Sequence, residues 1–423
     1  MNLTAIVAFI LVFGLIVTVH EFGHFFAAKK FGVVVYEFSI GMGPKIFGKN
    51  WHGTNYVIRI LPVGGYVLMA GGDQQNEYLE DLRPGKLVKL KFADEKKQVV
   101  NQIDISDSPA DSDTQLMRIK ELDTNQTFII SGTINEDQNV DVSYRLAENT
   151  QIKISEDRQF ELAPKNRQLP NIAIWKQAIV NFAGPLMNFL LAFVLFIGLS
   201  AALPRVPLSN SQIDPMPGYP AARQGLKKGD VITRINTRSV HSWNQLTQAV
   251  TSVGDRPIKV TFKRGSQQRT ISIQPRKAVE SGQTRYLIGV EQDTGTGLNQ
   301  RVNYAFSSFY QGATMIGSAF LHLITHPSLD QLGGPVAIAQ TTSSAAAAGF
   351  LSVVSLTAFL SLNIGIFNLI PIPVLDGGKL LLNLIQAIRR KPLSEKTNQV
   401  VMISGVVFII LLMIAVTIND LLR

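Results

Sequence analysis

The chain has 423 residues, 46% of them hydrophobic and only 17% charged, against about 25% charged in an average soluble chain. It holds no cysteine, which excludes disulfides, thiolate metal ligands, Fe–S clusters and a cysteine nucleophile. The net charge of +9 is uneven: residues 73–162 carry 19 of the 31 acidic side chains against 11 Lys and Arg, so the rest of the chain is strongly basic.

A pI near 9.6 raises the question of nucleic acid. The basic residues are not interleaved with aromatics as in nucleic-acid platforms, but flank apolar runs as membrane proteins require, and no nucleic-acid partner is expected. Four runs are long enough to span the roughly 30 Å of hydrocarbon, which takes about 20 residues. The first goes from Leu3 to about Ala28. It does not read as a cleavable leader: no basic residue precedes its apolar core, Lys29 and Lys30 follow it, and no small-residue cleavage site ends it. The acidic stretch after it contains short β-rich runs such as Thr127–Ile130 and Gln151–Ser155 between turn-rich segments. A small β domain over 86–162 is expected, either a regulatory or substrate-contact module or a solvated insertion without chemistry.

The second apolar run spans about Ala178 to Leu203. After it, Pro220–Asp230 reads as a short helix and a turn at Gly229-Asp230. Val231–Asn236 reads as a strand, Ser242–Val250 as an amphipathic helix, and Ile258–Lys263 with Thr270–Ile273 as two strands around Arg264-Gly265. This order, with Ala221-Ala222, Gly225-Leu226-Lys227 and Ile235-Asn236, resembles a bacterial PDZ domain. Such domains bind extended peptides by strand addition; a purely steric role is the alternative. Ser307–Ser344 reads as an amphipathic surface helix followed by a membrane-adjacent loop at Gly333-Gly334-Pro335. The third apolar run lies between about Ala345 and Ile372, and the fourth between Val400 and Ile418.

His20-Glu21-Phe22-Gly23-His24 lies inside the first run. On a helix, positions i and i+4 share a face, so two neutral imidazoles can hold one Zn²⁺, with Glu21 placed to take a proton from the attacking water. Three ionisable residues in an apolar run are costly unless paired or coordinated. Catalytic zinc usually has three protein ligands and one open position. His52, His241, His322 and His326 lie outside the apolar runs, so Asp376 is the better third ligand. It follows Asn368–Leu375, whose two prolines must break a helix, and precedes Gly377-Gly378. An aspartate that merely caps the helix after it is the alternative.

His20-Glu21-x-x-His24 together with Asn368-x-x-Pro371-x-Pro373-x-Leu375-Asp376-Gly377 resembles the site-two protease family of intramembrane zinc metalloproteases. Phe182–Asn188 is similar to that family's Gly-Pro-x-x-Asn element, and Pro62–Tyr66 to its membrane-associated β-loop. One PDZ domain plus an insert after the β-loop looks like the single-PDZ RasP/Eep branch. The resemblance implies a polytopic α-helical membrane protein with four transmembrane segments, a membrane-associated β-loop, a cytoplasmic β-rich insert and an extracytoplasmic PDZ domain. It implies Zn²⁺ on His20, His24 and Asp376, and Glu21 as general base. Asn368 and the β-loop residues Gly64, Gly65 and Tyr66 would hold substrate. The partners implied are single-pass membrane proteins already trimmed on the outer side, such as anti-sigma factors or signal-peptide remnants, and membrane lipid. A non-catalytic scaffold using the PDZ domain is the rival reading; it requires that Glu21 be dispensable and zinc absent.

Basic residues mark the cytoplasmic side. They follow segment one (Lys29, Lys30, Lys45, Lys49), precede segment two (Lys165, Arg167, Lys176) and lie between three and four (Arg389, Arg390, Lys391). Both termini are then outside, in a bacterial inner (cytoplasmic) membrane. The expected division is 1–32, first segment; 33–72, β-loop region; 73–170, cytoplasmic insert; 171–204, second segment; 205–300, PDZ domain and flanking strands; 301–344, membrane-adjacent region; 345–390, third segment with the Asp376 motif; 391–423, fourth segment.

Overall fold

The computed structural model describes residues 3–71, 82–94, 98–106, 108–109, 113–124, 127–134, 140–155, 158–280, 283–326, 333–391 and 393–422. The junction expected at 72–73 between β-loop and insert, and the residues just before Gly333, lie outside the described residues. The chain forms two compact units, one of Met1–Leu191 with Ala319–Arg423 and one of Ala192–Ser318.

The first unit begins with α1 (Leu3–Lys30). It ends where Gly32 turns left-handed at φ +76°. There Val33 N–H donates to the Ala28 carbonyl at 3.0 Å and Gly32 N–H to that of Lys29 at 3.1 Å, which satisfies two orphan carbonyls of the last turn. Lys29 and Lys30 place positive charge at that negative end of the helix dipole. Next come β1 (Val35–Trp51) and β2 (Thr54–Met69). The start of β1 is paired on both sides: Ser39 faces Val57 on one flank and Tyr66 on the other. The long hairpin thus folds over, and the end of β2, Gly65–Met69, becomes one flank of a three-stranded patch.

The acidic stretch builds β3 (Leu87–Phe92), β4 (Val99–Asp104), β5 (Gln115–Asp123), β6 (Ile129–Ile134), β7 (Val140–Ser155) and β8 (Arg158–Glu161). They form one sheet in the order β4-β3-β5-β6-β7-β8, and a parallel β4–β7 pairing brings it round on itself. Period-two alternation explains the core: Met117 and Ile119 are buried while Leu116 and Arg118 on the same strand are exposed. Leu90, Ile103, Ile130 and Ile152 complete the interior.

Helix α2 (Ile174–Ala202) leads into the second unit. There follow β9 (Val206–Pro207), β10 (Ile213–Pro215), α3 (Pro220–Arg223), β11 (Val231–Ile235), β12 (Arg238–Ser239), α4 (Trp243–Thr251), β13 (Ile258–Arg264), β14 (Gln267–Ile273), β15 (Arg276–Glu280), β16 (Gln283–Leu287), β17 (Val290–Gln292) and β18 (Thr294–Gly295). A four-stranded sheet β12-β11-β13-β14 and short pairs such as β10–β17 surround a core of Ile213, Ile232, Leu246, Val260, Phe262 and Ile288. Ser242 caps α4 by accepting the Gln245 N–H, and Gln245 returns a bond to the His241 N–H. Asp230 is held by Arg264 through two bonds of 2.8 and 2.7 Å. Arg301, on α5 (Leu298–Thr325), covers carbonyls at the end of α2, including that of Leu203 at 2.9 Å.

The remaining helices are α6 (Pro335–Ala348), α7 (Phe350–Asn368), α8 (Asp376–Arg389) and α9 (Glu395–Leu422). Among the described residues, four helices, α1, α2, α7 and α9, are long and apolar enough to cross a membrane. Two expectations shift. The loop foreseen at Gly333-Gly334-Pro335 gives way at Pro335 to α6, because proline is well suited to the first helical position. The membrane-length helix within the third apolar run starts later than Ala345: Ala345 lies in the last turn of α6, which ends at Ala348, and Gly349 at φ +108° separates it from α7.

Candidate metal centre

The site starts from the helical period. His20 and His24 stand one turn apart on α1 and are both buried. Helix α2 comes close enough for this because Gly23 and Gly184 lack side chains. A Cβ on Gly23 would overlap the Ala183 carbonyl oxygen, and one on Gly184 would overlap the His24 ring. The third group arrives after a break. Helix α7 ends at Asn368, and α8 starts with Asp376, itself buried. Between them Leu375 N–H donates to the Ile372 carbonyl at 3.1 Å. Pro373 occupies the second place of that turn and Val374 the third, at φ +87°. This is the type II geometry that normally selects glycine or asparagine at the third place. A β-branched residue there carries strain of about 1–3 kcal/mol.

Asp376 Oδ2 lies 3.1 Å from His20 Nε2 and 3.2 Å from His24 Nε2, and the two Nε2 atoms are 3.2 Å apart. His24 Nδ1 lies 2.7 Å from the Val180 carbonyl, which can only accept. The ring proton therefore sits on Nδ1, and Nε2 of the neutral ring presents a lone pair to the carboxylate. Around His20, Asn188 performs the same service. Its amide is 3.2 Å from His20 Nδ1, and its Oδ1 is buried without a partner. A half-turn of that amide puts Oδ1 on the Nδ1–H. Three electron-rich atoms then converge at 3.1–3.2 Å, an arrangement that repels unless a cation sits among them. Tetrahedral zinc with bonds of about 2.0–2.2 Å separates its ligands by about 3.3–3.6 Å, so the donor set fits zinc with small adjustment. The other carboxylate oxygen, Oδ1, accepts from Lys379 Nζ at 3.3 Å.

A cavity of about 690 Å³ opens on this triangle. Glu21 lines it beside the three donors, and so do Asn368 at the end of α7 and Gly65 and Tyr66 on the flank of β2. Gly64 is not among the lining residues; it turns at φ +84° beside Met42. Gly65 is placed where a Cβ would come within 3.1 Å of Glu21 Cγ, so the strand lies directly on the helix that carries the glutamate. The Tyr66 hydroxyl is already committed: it donates to Glu37 at 2.6 Å and accepts from Arg59 at 2.8 Å. What Tyr66 offers the cavity is therefore its backbone and ring.

A model of peptidase family M50 matches residues 8–412. The chain belongs to that family. A Streptococcus pyogenes serotype M3 protein named "Putative zinc metalloprotease" is 40% identical over 99% of both chains. A Streptococcus pneumoniae protein whose name describes it in the same terms is 40% identical over 99% of this chain and 98% of its own, and one from Staphylococcus aureus is 36% identical over 100% and 99%. A crystal structure of the PDZ domain of an SdrC-like protein from Listeria innocua is 26% identical, covering 21% of this chain and 97% of its own, with TM-score 0.18.

Several residues around the centre of this M50 peptidase escaped the sequence reading. Asn188 was seen only as part of a motif. Asn181, buried and lining the cavity, was not seen at all. The two lie seven residues apart, on one face of α2, and an amide in an apolar helix is itself a signal. Lys379 could have been found as the residue three on from Asp376. Glu37 and Arg59, which tie down Tyr66, had no local signal.

Proposed function

We propose that this M50 peptidase is a zinc metalloendopeptidase of the bacterial inner (cytoplasmic) membrane that cuts membrane-spanning segments of single-pass proteins. The observation that carries it is the convergence of His20, His24 and Asp376 beside Glu21 in a cavity fed by α1, α2 and the α7–α8 break. His20, His24 and Asp376 hold the metal. When bound, zinc acidifies a water and polarises the scissile carbonyl as a Lewis acid. Glu21 accepts the proton of the attacking water and returns it to the leaving amine. Asn188 and the Val180 carbonyl keep both imidazoles turned so that Nε2 faces the metal.

A helical substrate hides its carbonyls and must unwind before attack. The flank of β2 from Gly65 to Met69 lines the cavity and pairs with β1 on its other side, which suits it to receive an extended segment by strand addition. Asn368, also lining the cavity, supplies amide bonds to that segment. The PDZ-like domain, placed outside by the basic flanks of the membrane helices, holds back substrates whose outer domain has not been removed. Anti-sigma factors and signal-peptide remnants are substrates of the required kind, and membrane lipid surrounds the apolar helices.

The test uses full-length protein reconstituted in lipid with long and trimmed versions of one single-pass substrate. Wild type should cut the trimmed form within its apolar segment, as read by product mass, and Glu21→Gln should cut neither while keeping its zinc. Excising residues 206–295, the span whose ends are joined by the β9–β18 and β10–β17 pairs, should allow the long form to be cut. Cleavage confined to soluble loops would overturn the intramembrane reading. Unchanged discrimination after excision would remove the gate.

A further inference from the structure

Val374 sits in a backbone conformation that β-branched side chains avoid, at φ +87°. Such strain persists only where the surroundings over-determine it, and here they do. A Cβ on Gly378 would overlap the Ile372 carbonyl oxygen, and one on Gly377 the carbonyl of Leu369. On the other side, a Cβ on Gly405 of α9 would overlap the carbonyl oxygen of Pro373. Gly378 and Gly405, on two helices, thus clamp the Ile372–Leu375 turn backbone, and Gly377 packs on the residues that lead into it. Glycine at 374 would satisfy the same turn without strain, so the turn does not explain the valine. Its location does: Val374 lines the cavity between Asn368 and Asp376, and Met402, one turn before Gly405 on α9, lines the same cavity.

We infer that Val374 and Met402 form an apolar subsite that receives the substrate side chain next to the scissile bond and limits its size. The inference rests on the protease reading above and adds the specificity element to it. Val374 is a fixed wall, because β-branching leaves it little rotamer freedom and the clamped turn cannot move it. Met402 is an unbranched, adaptable wall facing the same space. Apolar side chains that fill the space between them are accepted; larger ones collide with Val374.

The test takes one single-pass substrate that wild type cuts, with the residue on each side of the scissile bond set in turn to Ala, Leu and Phe. Full-length wild type, Val374→Gly, Val374→Ala and Met402→Ala are compared in lipid. One extra methylene in an apolar pocket changes kcat/KM by about 10–200-fold. The Phe-to-Ala ratio of kcat/KM should therefore rise roughly tenfold or more in Val374→Gly and change in the same direction in Val374→Ala and Met402→Ala. Zinc content should be unchanged in all three, and the thermal midpoint of Val374→Gly should not fall, since glycine relieves the turn. Unchanged ratios, or a parallel loss across the whole series, would overturn the subsite. Wild type holding no zinc, or cutting no member of the series, would instead defeat the protease reading itself.

Discussion

In the PDZ-like unit the core between Ile213 and Ile288 is assembled from neighbouring strands and two short helices, and its side chains are almost all aliphatic. At the metal centre His24 meets Asp376 across 352 residues and Asn188 meets His20 across 168, and the buried groups are polar. The first region can lose a methyl group and relax. The second has no such latitude: its glycines touch backbone and imidazole, and each of its polar atoms needs a named partner in apolar surroundings. The two regions should accordingly fail independently and in different currencies, one in stability and one in metal affinity.

Leu246→Ala gives the largest separation. This side chain is 1% exposed at the centre of the PDZ-like core, and truncation should cost that domain about 2–5 kcal/mol. Hydrogen exchange should show lost protection in β11 and β13, with zinc content unaltered; a parallel loss of zinc would show that the two regions are coupled. Asn188→Leu is the reverse experiment. Removing the partner of a metal-binding imidazole typically weakens affinity about 10–100-fold. Competition with a chelator should reveal it, while β11 and β13 stay protected. Affinity equal to wild type would mean that Asn188 does not orient His20.

The smallest effect is a pH dependence confined to the PDZ-like unit. Burial alone would push the Asp230 carboxyl up, but the Arg264 guanidinium and the Lys227 N–H outweigh it and hold the carboxyl below the ordinary carboxylate range. A carboxyl lowered on folding adds stability above its unfolded value of about 3.9, and that stability is lost as pH falls through the folded value. The stability gap between wild type and Arg264→Met should be widest near neutrality and close below about pH 4. A gap independent of pH would show that the arginine acts by packing alone.

The same contrast explains what could be read from the sequence. Apolar length alone marks the four long helices, and alternation marks Val231–Ile235, because these signals are local. His20 and His24 are legible because helical period puts them on one face, and Glu21 because it directly follows the first of them in the motif. Asp376 is legible because a carboxylate between prolines and glycines in an apolar run needs a cation. The folded-over hairpin was not legible: that Ser39 pairs with both Val57 and Tyr66 is a tertiary register that no local pattern specifies. Nor was the left-handed Val374, since valine is the residue a turn-based reading would least expect there.

The central claim is that one metal ion is held by two histidines of α1 and an aspartate that reaches them from the start of α8. Zinc per chain, measured by elemental analysis on purified full-length protein, tests it most directly. Wild type and Glu21→Gln should each carry about one zinc, three ligands and an open position being enough to retain it, and Asp376→Ala should lose most of it. Full zinc retention in Asp376→Ala, with the protein still folded, would contradict the account.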